Sequence, residues 1–198
     1  MSLGLYIFAG INGAGESTLY TSTTDQDIKT SKRANADEIA RDNLWDWHNQ
    51  SNNLKAMRIE LKRICSFIDT KQSFNMETTF ASSKNSYLRI LKEAKKQGFT
   101  THLLYIGVES SALAKTRVKS RVRKGGHGVP DEIIDRRYPK SFANLEYLIS
   151  HFDIVDIFDN SYTYKHIYRR VNNHIIIHDD SVKWAETIIK NDIKNFTR

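Results

Sequence analysis

Cysteine and proline are scarce in this 198-residue chain. Its lone cysteine, Cys65, rules out a disulfide or a cysteine-built metal site within the chain, and two prolines with nine glycines are too few for a collagenous or disordered composition. No apolar run approaches the roughly 18 residues of a membrane-crossing helix. The N-terminus has no basic segment followed by an apolar core, so no secretory signal is read there and the cytoplasm is the expected compartment. Internal repeats, low-complexity tracts and linkers are also lacking. What remains, with 39% hydrophobic and 11% aromatic residues, suits a single domain over residues 1–198, with a core of about five strands flanked by helices.

Charge is not scarce, and its balance is basic, with a formal net charge of +7. Such an excess serves nucleic-acid binding by counterion release, or an enzyme that gathers two polyanions in one cleft. Lysine and arginine concentrate between Lys115 and Lys140, with Arg117, Arg121, Arg123, Arg136 and Arg137 among them. That density points to local phosphate handling and speaks against nucleic acid as the partner.

The stretch around which the chain is organised is Gly10 to Ser17, G-I-N-G-A-G-E-S, placed after the apolar run Leu3 to Ala9 and before Thr18, Leu19 and Tyr20. A buried strand turning into a helix is the context of a P-loop, G-x-x-x-x-G-K-[ST]. There, glycines let backbone N–H groups close around the β-phosphate, a lysine reaches the β- and γ-phosphates, and a hydroxyl holds Mg²⁺. The alternative is a glycine-rich turn without a ligand. Seven of the eight motif positions conform; the exception is Glu16, a carboxylate where the lysine belongs. Reversing a charge ~4 Å from a phosphate turns an attraction of about 4 kcal/mol, at an effective dielectric near 20, into a repulsion of similar size. The loop therefore reads as a disabled P-loop.

Downstream, strands and helices alternate, which predicts a three-layer α/β fold with a parallel sheet and right-handed crossovers. Thr21 to Ser31 reads as a polar loop. In A-N-A-D-E-I-A-R, Ala34 to Arg41, a short strand ends and a helix begins; Asp37 there faces either the γ-phosphate side of such a fold or serves as a first-turn carboxylate. Trp45, Trp47 and His48 form a substrate-lining patch or a packed boundary. Leu54, Met57, Leu61, Ile64, Cys65 and Ile68 recur at helical spacing and predict a core stripe. Glu77, in E-T-T-F, falls at a strand's carboxyl end, where open α/β sheets place ligands. A basic helix over Ser110–Lys124, a break at Gly125, Gly126, His127 and Gly128, and a second helix over Asp131–Ser150 form either a phosphate-closing lid at about residues 117–140 or a solvated helix pair. Ile154–Phe158, a last strand or hairpin, and a helix over Val182–Ile193 complete the chain.

G-I-N-G-A-G-E-S-T-L, N-A-D, E-T-T-F, and R-V-R-K-G-G-H-G-V-P followed by R-R-Y and N-L together resemble the zeta toxin family of P-loop kinases, over nearly the whole chain. The resemblance implies transfer of the γ-phosphoryl of ATP, with Mg²⁺, to a hydroxyl of a UDP-activated amino sugar, UDP-N-acetylglucosamine, in a toxin restrained by a cognate antitoxin. It implies nucleotide contacts at Gly10, Asn12, Gly13, Ala14, Gly15, Glu16, Ser17 and Thr18, with Ser17 as the metal ligand. Asp37 takes the part of the catalytic base, Arg121 and Arg136 that of phosphate-clamping arginines, and Glu77, Thr78 and His127 that of acceptor-binding residues. Glu16, at the lysine position of the catalytic set, departs from the family. Either the protein is a pseudokinase, or a lysine was exchanged because the active protein poisons its host; retention of Asp37, Glu77 and the lid arginines favours the exchange. Another small-molecule kinase on this scaffold, or a non-catalytic nucleotide- or nucleic-acid-binding regulator, are the other readings.

Overall fold

The computed structural model describes residues 3–46 and 48–196; Trp47 of the aromatic patch lies outside them. The elements in chain order are β1 (Gly4–Gly10), α1 (Glu16–Ser22), α2 (Gln26–Thr30), β2 (Lys32–Ala34), α3 (Ala36–Asp42), α4 (Gln50–Asp69), β3 (Phe74–Thr78) and α5 (Lys84–Lys96). They continue with β4 (Thr100–Gly107), α6 (Ser111–Arg123), α7 (Asp131–Leu148), β5 (Ile154–Asp159), β6 (Lys165–Val171), β7 (His174–His178) and α8 (Lys183–Phe196).

The strands form one sheet in the order β2-β3-β1-β4-β5-β6-β7. From β2 to β5 all neighbours are parallel, as the alternation of strands and helices predicts. The last two strands add on antiparallel. Only Asn172 and Asn173 join β6 to β7, with Asn172 at φ 50, and so short a link makes a hairpin but cannot carry a parallel crossover.

Central strands are apolar on both faces because helices cover both. Leu5, Ile7 and Ala9 of β1, with Leu103 and Tyr105 of β4, face Leu91 of α5, Leu145 of α7 and Ile189 of α8. Phe8 and Leu104 point the other way, onto Ile28, and Ile106 meets Ile11, Val118 and Ile134. At the far end of the sheet, Arg170 and Asp192 are both buried and paired at 2.8 Å, tying α8 to β6. Tyr168 donates a further hydrogen bond to Asp192.

Two expectations need correction. The polar stretch Thr21–Ser31 contains α2, whose N-terminus is capped by the Asp25 carboxylate and whose Ile28 is buried; five residues are too few to show a helical period. The stripe on α4 is core only in part. Ile64 and Ile68 are buried, whereas Leu54, Met57, Leu61 and Cys65 are exposed. This helix packs on α3 and on β2, the short strand at the sheet edge, and among the described residues little covers its Leu54, Met57 and Leu61.

Candidate active site

Carboxyl ends of β1, β3 and β4 open onto one cleft, and the turn after β1 lies where the chain leaves one side of the sheet for the other, the usual ligand position in such folds. Gly13 and Gly15 adopt φ 89 and 115, a left-handed backbone that side-chain-bearing residues rarely take. The loop they shape is tied in place from two sides. Asn160, just past β5, donates to the Ala14 carbonyl at 2.7 Å. Arg137 of α7 donates to Asn12 Oδ1 at 2.9 Å. Thr18, the next residue after the motif, is exposed at the start of α1.

Glu16 folds back into its own loop. Its Oε2 accepts from the Gly15 N–H at 3.0 Å, and the residue is only 8% exposed. Burial is the main force pushing its carboxyl up to about 8; the charge of Glu77 adds to this, while its own and the Gly15 N–H groups and Arg121 oppose it. At neutral pH the side chain is thus mostly a neutral acid rather than the fixed anion expected at that position. The charge reversal inferred from the motif is correspondingly weakened in the folded protein.

Beside it, Ser17 Oγ donates to Glu77 Oε1 at 2.5 Å. The other oxygen of Glu77 accepts from Arg33 at 2.6 Å and from Asn35 Nδ2 at 3.0 Å. Arg33 also bonds Glu38 and Asn75, and its guanidinium lies 3.6 Å from the centre of the Tyr20 ring. Burial pulls the Arg33 pKa down, but Glu38 and Glu77 raise it above its ordinary value. Thr78 bonds Tyr87 OH at 2.8 Å and accepts from the Phe80 N–H. Phe80 itself sits at φ 55 with a buried ring, a strained turn held by Asn144, which donates to the carbonyls of Phe80 and Ser82.

Asp37 is exposed in the first turn of α3, whose cap is Asn35. Its charge is felt across the cleft by His127 and Arg137. His127 has its pKa lowered, chiefly by burial, with Arg121, His48 and Arg137 adding to this and Asp37 opposing. Arg121 projects from α6 with its Nε and one terminal nitrogen buried and free of hydrogen-bond partners. The two helices that flank the glycine break are cross-tied by Lys115–Asp135 and Lys119–Asp131. Arg136, expected at the phosphates, is exposed; its neighbour Arg137 makes the contact with the loop.

Several cleft residues carried little sequence signal. Asn35 lies inside the N-A-D motif but reads as an ordinary cap, and Arg33 is one basic residue among many. Glu60 of α4 has no motif at all. Its Oε1 is buried without a partner, and its carboxyl is pushed up to about 7 by burial and by Asp37 and Glu77, against the Ala36 N–H and Arg33.

The profile of the zeta toxin family matches residues 4–181. The chain belongs to the zeta toxin family. A curated relative, described as an uncharacterized protein of Haemophilus influenzae, is 33% identical over 134 residues, covering 66% of this chain and 89% of that protein. Among solved structures, this zeta toxin family chain resembles the complex of AvrRxo1-ORF1 and -ORF2 with ATP at TM-score 0.70 and 13% identity, over 97% of this chain. It spans 64% of the length of that AvrRxo1 chain. It also resembles the PezAT chromosomal toxin-antitoxin system of Streptococcus pneumoniae at TM-score 0.62 and 11% identity, over 98% of this chain and 85% of the other. At these identities the structural likeness shows the shared fold. Family and fold together make the chain a zeta toxin family protein of P-loop kinase-like fold, with a nucleotide as the implied ligand. Among the described residues no helix is long and apolar enough to cross a membrane.

The residues present fit that ligand. A loop held open by two left-handed glycines, with unpartnered Arg121 nitrogens beside it, is suited to an anion. For Mg²⁺, the exposed hydroxyl of Ser17 at the start of α1 is the kind of oxygen donor a hard cation takes while keeping most of its waters.

Proposed function

We propose that this chain is a kinase of the zeta toxin type, which transfers the γ-phosphoryl of ATP to a hydroxyl of UDP-N-acetylglucosamine and acts as a cytoplasmic toxin restrained by an antitoxin protein. The form described here is disabled for transfer by Glu16. The observation that supports the reading is the bond of Ser17 to Glu77 beside the glycine-shaped loop, with the charge of Asp37 acting on His127 and on Arg137, the arginine that bonds that loop.

Ser17 would hold Mg²⁺, which when bound supplies charge to the phosphate oxygens. The backbone N–H groups of Gly13 to Ser17 orient the phosphates, and Arg121 and Arg137 counter charge that develops during transfer. The acceptor oxygen forms its bond to the γ-phosphorus as the bond to ADP breaks, and its proton passes to the Asp37 carboxylate. A carboxylate suffices because orientation and late proton removal matter more here than base strength. Glu77 and Thr78 meet the acceptor, and closure of the glycine break with His127 excludes water.

The test compares the chain with its Glu16→Lys variant in a phosphoryl-transfer assay with Mg-ATP and UDP-N-acetylglucosamine. Phosphorylated UDP-sugar from the lysine form alone supports the reading. Adding Asp37→Asn should abolish that transfer with ADP affinity nearly intact. A lysine form that binds ADP but leaves every UDP-sugar untouched refutes the acceptor, and one that binds no nucleotide refutes the kinase.

A further inference from the structure

The two acids assigned to the acceptor sit on different elements, Asp37 on α3 and Glu77 on β3, and their relative placement has to come from something between them. Asn35 fills that space. It is 8% exposed, with an extended backbone at the start of α3. Its Oδ1 accepts from the backbone N–H groups of Asp37 at 2.9 Å and Glu38 at 3.2 Å, while its Nδ2 donates to Glu77 Oε2 at 3.0 Å. Glu77 in turn receives the hydroxyl of Ser17 through its other oxygen. One line of hydrogen bonds thus runs from the P-loop hydroxyl through Glu77 and Asn35 to the turn that carries Asp37.

Capping alone does not require asparagine. Serine, threonine and aspartate accept from the same N–H groups about equally well. A side-chain amide, unlike a carboxylate, accepts on one side and donates on the other in the same rigid plane. Arg33 adds a second tie of the same kind, joining Glu77 to Glu38, the residue next to Asp37. An asparagine that donates to a charged carboxylate and caps a helix at once is doing two jobs, of which a cap would explain one.

We propose that Asn35 is a positioning residue for phosphoryl transfer: its amide fixes the α3 turn bearing Asp37 against Glu77, and so sets the base at a defined distance from the P-loop. The inference rests on the kinase reading above and names how its acceptor side is held in register.

The experiment uses Glu16→Lys protein with Asn35→Ser and Asn35→Ala. Thermal unfolding, ADP affinity, and kcat and KM for Mg-ATP and UDP-N-acetylglucosamine are measured on each. Asn35→Ser keeps an acceptor for the cap, but its single hydroxyl on a shorter stem cannot cap α3 and reach the Glu77 carboxylate at once as the amide does. It should therefore unfold within a few degrees of its parent and keep KM for ATP within about twofold, yet lose at least about tenfold in kcat. Asn35→Ala should lose the same kcat and unfold earlier as well. A kcat for Asn35→Ser within twofold of the parent, with Asn35→Ala affected only in stability, overturns the proposal and leaves Asn35 a cap. If the lysine parent transfers nothing to UDP-N-acetylglucosamine, the acceptor reading falls and this inference falls with it, whereas an active parent with an indifferent Asn35→Ser overturns the inference alone.

Discussion

Glu16 offers the sharpest test, because its effect on nucleotide binding should depend on pH in a calculable way. In the folded protein its carboxyl holds a proton up to about 8, against an ordinary value of 4.5, with burial as the main cause. Below that pH the side chain is neutral and asks an incoming phosphate only to displace it from the Gly15 N–H. Above it, an anion stands in the loop. ADP affinity of the Glu16 chain should therefore fall about tenfold between pH 7 and 9, approaching a further tenfold per pH unit beyond. Glu16→Gln should show no such fall. Glu16→Lys should bind more tightly by up to about 4 kcal/mol, the attraction of one charge ~4 Å from a phosphate at an effective dielectric near 20. The same proton affects folding. Because the unfolded chain releases it near 4.5 and the folded chain near 8, its contribution is full below the first value and is lost as pH rises through the second; Glu16→Gln removes that decline. Titration calorimetry with ADP from pH 6.5 to 9.5, alongside urea unfolding over the same range, reads both. An affinity that stays flat for the parent, or a fall shared by Glu16→Gln, would refute the reasoning.

Three further outcomes follow from other parts of the molecule. Asp192→Ala strands the buried Arg170 guanidinium, which should cost about 3–5 kcal/mol and lower Tm by roughly 6–20 °C for a chain of this size; a loss under about 1 kcal/mol in urea unfolding would contradict it. Burial alone would raise the pKa of Asp156, but the hydrogen bond with His102, the close approach of His166 and the charges of His102 and Arg169 hold it well below the usual carboxylate range. Its stabilising share is thus present above the unfolded value of 3.8 and is lost as pH falls toward the folded one, so Asp156→Asn should flatten the acid limb of a stability profile. In Glu16→Lys protein, Arg137→Ala should lower kcat/KM by about 10²-fold or more and Arg136→Ala by less than about twofold, and equal losses would show that the Asn12 contact is not what places the arginine.

Much of the cleft was legible because its devices are local. Glycines that need a left-handed backbone, a hydroxyl one position after them and an apolar run before them are fixed within a dozen residues, so the loop could be read without knowing what surrounds it. The place of Glu77 at a strand's carboxyl end was legible for a similar reason, since a short, partly apolar run and the turn after it mark that end whatever surrounds it. The choice between Arg136 and Arg137 was not: both lie on one helix, and which one reaches Asn12 depends on how α7 rotates against the loop. The exposed stripe of α4 misled in the same manner, because periodicity marks an apolar face without saying whether anything covers it.

By itself, the sequence determined the alternation of the main strands and helices, the glycine-shaped loop and the anomaly at Glu16, all properties of short stretches of chain. Only the tertiary structure decided that Glu16 is buried deeply enough to hold a proton near neutrality, that β6 and β7 turn back antiparallel, and that Asn35 and Arg33 link the acids of β3 and α3. Burial and charge act through space between residues far apart in the chain, and neither is written in any local pattern.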